Sequence, residues 1–290
     1  YVNHAIDAGL KPNEFGRQLS FFFNCHNNFF EEIAKFRAAR CIWAKIMKEQ
    51  FEVTDPKAMM CRFHTQTAGS TLTAQDIDNN IVRTTLQATA AVLGGTQSLH
   101  TNSKDEALSL PTPESAETAL RTQQIIGYES GIPDVADPLA GSFYVESLTN
   151  QIIENTLSLM GEIKDMGGAI KAIESGFQQN LISKSAYDYQ MEIDKKNRIV
   201  VGVNKFESNS SRIENLQEIN KEAVDKQIAR LKRLKKERNT EEVKKCLDSL
   251  NQSIDNNNNL IPAIIECVES NVTLGEISEL LKDRFGEFQE

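Results

Sequence analysis

The chain has 290 residues, of which 40% are hydrophobic and 25% are charged, so its composition is that of a globular rather than a disordered protein. Its net charge of −9, from 32 basic and 41 acidic residues, argues against a nucleic-acid-binding surface. No apolar run approaches the roughly 18 residues of a membrane span, and the five cysteines include no CxxC pair, which excludes a disulfide scaffold and suits a reducing cytoplasm.

The first residues are typical of a segment inside a longer protein. Tyr1 is followed by neither the basic nor the apolar stretch of a signal peptide. A short helical pattern ends at Gly9 and Pro12, as if a helix were closing there. We therefore expect the chain to be part of a longer protein whose preceding residues contribute to the same functional site.

A strand-and-helix unit repeats over the first hundred residues. Short apolar runs predict buried strands that begin at residues 19, 59 and 96, which are 40 and 37 residues apart. Two amphipathic helices are predicted between them, and Gly94 with Gly95 predicts the C-terminal cap of the second. This rhythm is typical of an α/β fold with a parallel sheet, either a (β/α)8 barrel or a doubly wound sheet. The second helix has its predicted apolar face at Ile77, Ile81, Ala88 and Val92.

The second half of the chain is mostly helical in pattern. Helices are predicted at 114–128, 146–164, 168–179 and 183–197, with a short strand at 199–203. A loop-like stretch near 206–213 marks a boundary, so we expect one domain at 1–206 and a helical linker or tail region at 207–290. In the tail, Thr273 and Glu276 have the spacing of a capping box.

Polar residues gather where each predicted strand ends, which is the edge that carries active sites in parallel α/β barrels. Arg62, His64 and Gln66 alternate along the second strand and therefore share a face. Such a row is costly in a packed core unless every polar group finds a partner. The row predicts either the wall of a ligand channel or an ordinary edge with satisfied side chains.

Common catalytic motifs are absent from the sequence. There is no GxSxG, HExxH or P-loop string, and the four histidines are not spaced as metal ligands. We therefore predict no metal site. We interpret the polar row as a hydrogen-bonding wall, with the reactive chemistry supplied by a cofactor.

A basic stretch at 230–238 continues a helical pattern in the tail. Ile228, Leu231 and Leu234 recur at helical spacing beside it. The favoured interpretation is a solvated basic face over these apolar residues, and a docking face for an acidic partner is the alternative.

Several short strings occur in a distinctive order along the chain. They are RFHTQTAG at 62–69, LTAQ at 72–75, NNI at 79–81, RT at 83–84, GGTQSLHTN at 94–102, DEA at 105–107, LP at 110–111, DPLAGS at 137–142 and VGVN at 201–204. In content and order they resemble the substrate-binding barrel of the adenosylcobalamin-dependent acyl-CoA mutases. The resemblance covers nearly the whole chain and is looser in the tail.

The resemblance implies a fold and an activity. The three predicted strands would be the last three of a (β/α)8 TIM barrel, followed by a helical linker region. The activity would be that of a large-subunit isomerase that rearranges the carbon skeleton of (R)-methylmalonyl-CoA to succinyl-CoA by a radical mechanism. Isobutyryl-CoA and 2-hydroxyisobutyryl-CoA are alternative substrates, and a non-catalytic role in subunit assembly is a further alternative.

The resemblance also implies a cofactor and partners. The cofactor is adenosylcobalamin, and the partners are an acyl-CoA substrate, a separate cobalamin-binding small subunit or domain, and a G-protein chaperone. The chain contains neither the family's catalytic Tyr-His pair nor its cobalamin-ligating Asp-x-His-x-x-Gly motif, so the catalytic residues are expected upstream of Tyr1. No nucleic-acid or membrane partner is expected, and the expected location is cytoplasmic.

The resemblance implies site residues in the matching strings and in the region of the first predicted strand. Those implied to line the CoA and acyl channel are Arg17, Ser20, Arg62, His64, Gln97 and Ser98. Those implied to face the adenosyl group or the corrin ring are Phe22, Gln66, Asn102, Glu106 and Ala107.

Two positions depart from the family's pattern. Gln18 stands where the family has an arginine, with Arg17 one position earlier. Ser70 stands where typical methylmalonyl-CoA mutases have a tryptophan against the cofactor. Without that tryptophan, the sequence resembles the branch of the family that has a shorter, separate large subunit.

Overall fold

The computed structural model describes residues 1–208 and 216–287. The chain divides into a larger unit, Tyr1–Gln217, and a smaller unit, Glu218–Glu290. Of the boundary predicted near 206–213, the part beyond residue 208 lies outside the described residues.

The larger unit is built around a parallel sheet of three strands in the order β1-β2-β3. Phe21 of β1 lies opposite Phe63 of β2, and His64 of β2 lies opposite Ser98 of β3. This arrangement confirms the predicted α/β class with a parallel sheet. In chain order the elements are α1 (Val2–Asp7), α2 (Pro12–Phe15), β1 (Phe21–Cys25), α3 (Phe29–Glu49), β2 (Phe63–Thr67), α4 (Asn79–Leu93), β3 (Ser98–His100), α5 (Pro113–Tyr128), α6 (Phe143–Asp165), α7 (Ala169–Glu174) and α8 (Phe177–Asp194).

The first two strands begin later than predicted. β1 begins at Phe21 and β2 at Phe63, rather than at residues 19 and 59. After Pro56 the chain turns, because the backbone N–H of Met59 donates to the Pro56 carbonyl at 3.2 Å. The apolar residues that follow Pro56 therefore belong to this turn, and pairing starts only where the chain has straightened.

Helices pack against one face of the sheet and form the core. Phe23, Cys25 and Phe63 of the strands meet the buried Phe36 of α3 in one cluster, which Ala91 of α4 completes. The rings of Phe36 and Phe63 are stacked, with centroids 5.2 Å apart. Burial of these large side chains away from water is the main favourable contribution to the stability of the unit.

The cap predicted at Gly94 and Gly95 is confirmed. Gly95 has φ +83°, the left-handed conformation that closes a helix most readily at glycine. The N–H of Thr96 then donates to the Ala91 carbonyl at 3.1 Å, which satisfies a free carbonyl of the last turn. Gly94 is needed for another reason, because a Cβ at this position would overlap the ring of Phe36.

The buried face of α4 is more polar than predicted. Asn80, Thr84 and Gln87 are buried there together with alanines. Of the predicted apolar positions, Ala88 is fully buried, whereas Ile81 is only partly buried. The face takes small and amide side chains because it packs against the loops that leave the strands, where backbone groups need hydrogen-bond partners.

The later helices follow the prediction except at one break. α5 and α6 match the predicted ranges to within three residues at each end. The break predicted between residues 179 and 183 lies earlier, between α7 and α8, where Gly176 takes φ +74°. None of the helices in the described ranges is long and apolar enough to cross a membrane.

The strand predicted at 199–203 is wrong. Gly202 has φ +82°, and the chain turns there instead of extending. Asn204 stabilises the turn, since its Oδ1 accepts a hydrogen bond from the Val200 N–H at 2.8 Å. The β-branched residues favoured a strand by composition, whereas the glycine and the asparagine determine the local backbone.

The smaller unit is helical, as predicted for the tail. Thr273 and Glu276 form the predicted capping box at the start of its last helix. Its elements are α9 (Lys221–Glu237), α10 (Thr240–Asp255), α11 (Leu260–Glu269) and α12 (Leu274–Phe285). Its core consists of Val243, Leu250, Ala263, Cys267, Val272 and Ile277.

Candidate functional site

The sheet has one covered face and one open face. Phe63 is 3% exposed on the helix-covered face, whereas Phe22 is 67% exposed on the other. Strand register forms two rows across the open face. One row runs Phe22–His64–Ser98 and the other runs Asn24–Gln66–His100.

A cavity of about 410 Å³ lies at the amino-terminal end of this open face, rather than at the carboxyl end where the polar residues were predicted to gather, because the strands begin at Phe21, Phe63 and Ser98. The structure thus brings together six of the predicted site residues, five from the CoA group and one, Phe22, from the cofactor group. The lining residues are Ser20, Phe21, Phe22, Arg62, Phe63, His64, Gln97 and Ser98.

His64 and Arg62 are the side chains of this cavity best placed to meet a ligand. The Nδ1 of His64 lies 2.7 Å from the Oγ of Ser98, and its ring centroid lies 4.7 Å from that of Phe22. The Nη2 of Arg62 is buried and has no hydrogen-bond partner among the described residues. A buried guanidinium nitrogen without a partner is costly, so a ligand oxygen bound there would satisfy it.

Two of the predicted residues are engaged elsewhere. The Oε1 of Gln97 accepts from the Phe63 N–H at 2.6 Å, and its Nε2 donates to the Gly95 carbonyl at 2.8 Å. Arg17 forms an ion pair with Asp55 and does not line the cavity. Gln97 therefore extends the pairing of β2 and β3, and Arg17 ties the segment before β1 to the turn before β2.

A second group of predicted residues lies at the carboxyl end of β2. The Oδ1 of Asn102 accepts from Thr67 Oγ1 at 2.8 Å and lies 3.4 Å from the Nε2 of Gln66. The Nδ2 of Asn102 is buried and has no partner in the described ranges. A Cβ added to Gly69 would lie 2.9 Å from that Nδ2 and 3.1 Å from Glu106 Oε1. Because Gly69 has no Cβ, the side chains of Asn102 and Glu106 can approach its backbone closely.

Ala107 adds little to this second group. It is exposed, directly after the exposed Glu106. The loop that carries both is held by Asp105, which is 3% exposed and whose Oδ2 accepts from the Thr112 N–H at 3.0 Å. The position of Glu106 is therefore determined by a buried neighbour.

Sequence reasoning missed Gln87, which connects the ends of β1 and β2. This α4 residue is 1% exposed. Its Oε1 accepts from the Ala68 N–H at 2.8 Å, and its Nε2 donates to Asn27 Oδ1 at 2.6 Å and Thr71 Oγ1 at 2.8 Å. The available signal was the polar spacing of Asn80, Thr84 and Gln87, which places all three on one side of the helix.

Among the described residues, the thiols of Cys25 in β1 and Cys61 before β2 are poor nucleophiles. Burial raises the pKa of the Cys25 thiol far above its usual range and that of Cys61 to about 11. Burial also lowers the pKa of His26, the residue directly after β1. The lowered pKa favours the neutral form of this side chain. Within residues 1–208 and 216–287, no group of three His, Cys, Asp or Glu side chains could hold a metal ion. The arrangement can bind and orient a ligand, and it contains no thiolate to attack one.

A family model described as methylmalonyl-CoA mutase matches residues 1–287. The chain belongs to this family. The match confirms the resemblance on which the site residues were predicted.

Individual relatives cover the chain almost completely. It is 44% identical to the 2-hydroxyisobutanoyl-CoA mutase large subunit of Aquincola tertiaricarbonis, over 100% of the chain and 52% of the relative. It is 42% identical to methylmalonyl-CoA mutase of Rhizobium meliloti, over 99% of the chain and 41% of the relative. It is 44% identical to mitochondrial methylmalonyl-CoA mutase of Mus musculus, over 99% and 39%. The chain thus spans between about two fifths and a half of the length of these relatives.

Proposed function

We propose that the chain forms part of an adenosylcobalamin-dependent acyl-CoA mutase and supplies one wall of its substrate channel. The observation that carries the proposal is the open face of the sheet, where predicted binding residues from all three strand segments converge on one cavity. A face of hydrogen-bonding side chains suits an enzyme whose protein part binds and orients the substrate.

The proposed fold of the longer protein is a (β/α)8 barrel, of which this sheet is the C-terminal part. The strands are parallel and follow chain order, and they are connected by helices on one face. Beside β1 lies an apolar cavity of about 480 Å³, lined by Phe21, Phe23 and Trp43 among others. The indole N–H of Trp43 is buried without a partner in the described ranges. A further β/α unit at this edge would cover the cavity and pair the outer strand.

The proposed substrate is an acyl-CoA, with (R)-methylmalonyl-CoA rearranged to succinyl-CoA. Arg62 offers an unpaired donor to a carboxylate, carbonyl or phosphate oxygen. The side chains of His64 and Ser98 are hydrogen-bonded to each other in the same cavity. 2-Hydroxyisobutyryl-CoA is the second candidate, because the Aquincola relative bears that substrate in its name and Ser70 departs from the tryptophan of typical methylmalonyl-CoA mutases. Isobutyryl-CoA is a third.

The second group of residues fits a nucleoside-bearing cofactor. The unpartnered Nδ2 of Asn102 is a donor for a ribose or base oxygen, and Gly69 allows Asn102 and Glu106 to lie close together against its backbone. Adenosylcobalamin, when bound, supplies the radical chemistry of the rearrangement. In this proposal Glu106 accepts hydrogen bonds from the ribose hydroxyls, while the exposed ring of Phe22 faces the adenosyl group or the corrin ring and excludes water.

The proposal includes partners and a location. A cobalamin-binding small subunit or domain would present the cofactor to the open face, and a G-protein chaperone would assist its loading. A cytoplasmic location suits the unpaired cysteines, which are all free.

Activity of the full-length gene product is the test. It is mixed with a cobalamin-binding subunit and adenosylcobalamin, and the conversion of methylmalonyl-CoA, isobutyryl-CoA and 2-hydroxyisobutyryl-CoA is followed by mass-resolved product analysis. Conversion of one substrate is expected. Arg62→Met should lower kcat/KM at least about tenfold by removing a charged hydrogen bond, whereas Arg121→Met, on the exposed surface of α5, should not.

Failure to convert any of the three would contradict the proposed reaction, provided that the protein is folded and the cofactor is bound. The favoured function would then be the non-catalytic role in subunit assembly. Equal losses in the Arg62 and Arg121 variants would contradict the proposed binding wall.

A further inference from the structure

Three polar side chains of α4 are buried where a helix usually buries apolar ones. Asn80, Thr84 and Gln87 are 0%, 2% and 1% exposed, and their helical spacing places them on one side of α4. A buried polar group is costly unless it is hydrogen-bonded, so its partners determine what such a residue can do. The partners of Asn80 belong to the two loops that follow β2 and β3.

The side-chain amide of Asn80 uses its full hydrogen-bonding capacity. Its Oδ1 accepts from the Thr73 N–H at 3.1 Å and from Arg83 Nη1 at 2.8 Å. Its Nδ2 donates to the carbonyls of Thr73 and Lys104, both at 2.9 Å. A primary amide offers two donor hydrogens and two acceptor positions, so Asn80 has none left for a ligand. It acts instead on the loop after β2 at Thr73 and on the loop after β3 at Lys104.

These two loops carry the second group of site residues. Gly69 lies in the loop after β2, whereas Asn102 and Glu106 lie in the loop after β3, one on either side of Lys104. The loops meet at Gly69, where an added Cβ would lie 2.9 Å from Asn102 Nδ2 and 3.1 Å from Glu106 Oε1. A shift of the Lys104 carbonyl would therefore move Asn102 and Glu106 relative to Gly69.

Arg83 determines which way the amide of Asn80 points. Besides Asn80 Oδ1, its Nη1 also contacts Thr73 Oγ1 at 3.0 Å, and its Nη2 donates to the Val201 carbonyl at 2.7 Å. Because a guanidinium can only donate, the amide turns its oxygen towards Arg83 and its NH2 group towards the two loop carbonyls. The strings at 79–81, 83–84 and 201–204, which do not line the cavity of the open face, thus meet in one network.

We propose that Asn80 is a positioning residue for the cofactor side of the site. It holds the loops after β2 and β3 together so that Asn102 and Glu106 can both contact the nucleoside of the cofactor. This inference rests on the proposed function, because the nucleoside-bearing cofactor is part of that proposal. Asn80 does not line the cavity that contains Arg62 and His64. It therefore controls the affinity for the cofactor and leaves the affinity for the acyl-CoA unchanged.

Two variants and a matched control of the full-length gene product test the proposal. Asn80→Asp keeps the size and the accepting Oδ1 of the side chain and removes both Nδ2 hydrogen bonds, whereas Asn80→Ala removes the bonds of both atoms. Asn79→Ala is the control, because Asn79 is the preceding residue of the same helix and is exposed.

Hydrogen–deuterium exchange followed by mass spectrometry reports on the two loops without substrate or cofactor. In both Asn80 variants, exchange in peptides covering 68–75 and 102–108 should be at least about tenfold faster, because loss of the bridging hydrogen bonds lets the loops open more often. The same peptides of Asn79→Ala should exchange at the wild-type rate.

Steady-state kinetics give a second measurement. The adenosylcobalamin concentration for half-maximal turnover should rise at least about tenfold in both Asn80 variants, whereas KM for the acyl-CoA should stay within about twofold of the wild-type value. A purely structural role would instead reduce the amount of active enzyme, which lowers the apparent kcat and leaves both concentrations unchanged.

Several outcomes would overturn the proposal. Wild-type exchange of both peptides in the Asn80 variants would do so, and so would equal rises in the two half-saturating concentrations. Failure of both Asn80→Asp and Asn80→Ala to fold, judged by circular dichroism, would identify the side chain as structural. A wild-type enzyme without turnover would contradict the proposed function, and the exchange measurement would then still decide whether Asn80 holds the two loops together.

Discussion

His64 occupies the middle of the open face, in contact with one residue from each neighbouring strand. It lies beside Ser98 on one side and Phe22 on the other. Because it is only partly buried and lies outside the core cluster, its removal alters the open face and leaves the packing of the core intact.

We expect His64→Ala in the full-length enzyme to lower kcat/KM at least about tenfold and to change the free energy of unfolding by less than about 0.5 kcal/mol. Steady-state kinetics and urea unfolding measure the two effects. Loss of the native melting transition would instead identify the side chain as structural.

Gly69 gives a second prediction at this scale. A methyl group there would come within 2.9 Å of Asn102 Nδ2 and 3.1 Å of Glu106 Oε1, and both belong to side chains that can move. Gly69→Ala should therefore fold but raise the adenosylcobalamin concentration needed for half-maximal turnover about tenfold or more. Gly127→Ala is the matched control, because a Cβ added at that position would have no atom within 4 Å. Equal behaviour of the two variants would contradict a cofactor contact at Asn102.

Some of the individual site residues could be predicted from the sequence, and others could not. Ser20, Arg62, His64 and Ser98 could be grouped because strand alternation and the family strings agree about them. The engagement of Gln97 with backbone atoms depends on where β2 and β3 pair, which a sequence does not specify locally. Gln87 was missed for a related reason, since a buried amide is recognisable only once its three partners are in place.

At the scale of elements, the last helix of the smaller unit depends on an ionised side chain. The hydrogen bond from Arg238 to Glu276 lowers the pKa of Glu276, and those from Thr273 lower it further. Together they exceed the opposing effect of burial, so the pKa of Glu276 lies well below its usual range. The carboxylate therefore stabilises the folded state fully above the ordinary pKa of glutamate, about 4.3, and this stabilisation is lost as the pH falls further towards the folded-state pKa.

We expect the unfolding free energy of the smaller unit to decline below about pH 4, and Glu276→Gln to flatten that decline. Urea unfolding at several pH values, followed by NMR of α12 amides, is the measurement. Glu279→Gln, at an exposed position on the same helix, should keep the wild-type pH dependence. An unchanged slope in the Glu276 variant would contradict the role of this carboxylate.

Elements differed in how well they could be predicted. β2 and the helices around it follow from alternation and helical spacing, because both patterns are repeated over several residues. The start of β2 and the turn at 199–203 did not follow, because single residues decide them. Pro56 and Gly202 each impose a local backbone that outweighs the apolar composition of their neighbours.

At the scale of the whole molecule, the apolar cavity beside β1 bears on how the sheet is completed. Phe21, Phe23 and Trp43 line it, and a preceding β/α unit would fill it in the proposed barrel. The 290-residue chain should therefore bind the dye ANS, with a fluorescence gain several times that of the full-length gene product at equal molar concentration. Equal fluorescence from both proteins would contradict the proposed position of the missing strands.

The sequence could predict the parallel sheet of this larger unit but not its closure. Three strands at a regular interval indicate β/α units, and both a barrel and a doubly wound sheet use them. Three parallel strands alone fit either architecture. The proposed barrel therefore rests on the family and on the edge of the sheet at β1 rather than on periodicity.

The alternation of the strands has a consequence for how the protein can evolve. Even-numbered positions of the sheet, such as Phe22, His64 and Ser98, lie on the open face, and odd-numbered ones, such as Phe23 and Phe63, lie on the helix-covered face. A saturation mutagenesis of the three strands should therefore divide by parity. Substitutions at odd positions should lower the abundance of the folded protein. Substitutions at even positions should leave the abundance unchanged and, in the proposed mutase, alter the preference among acyl groups. In the proposed mutase, substitutions on the open face could thus change substrate contacts while the residues of the core stay the same.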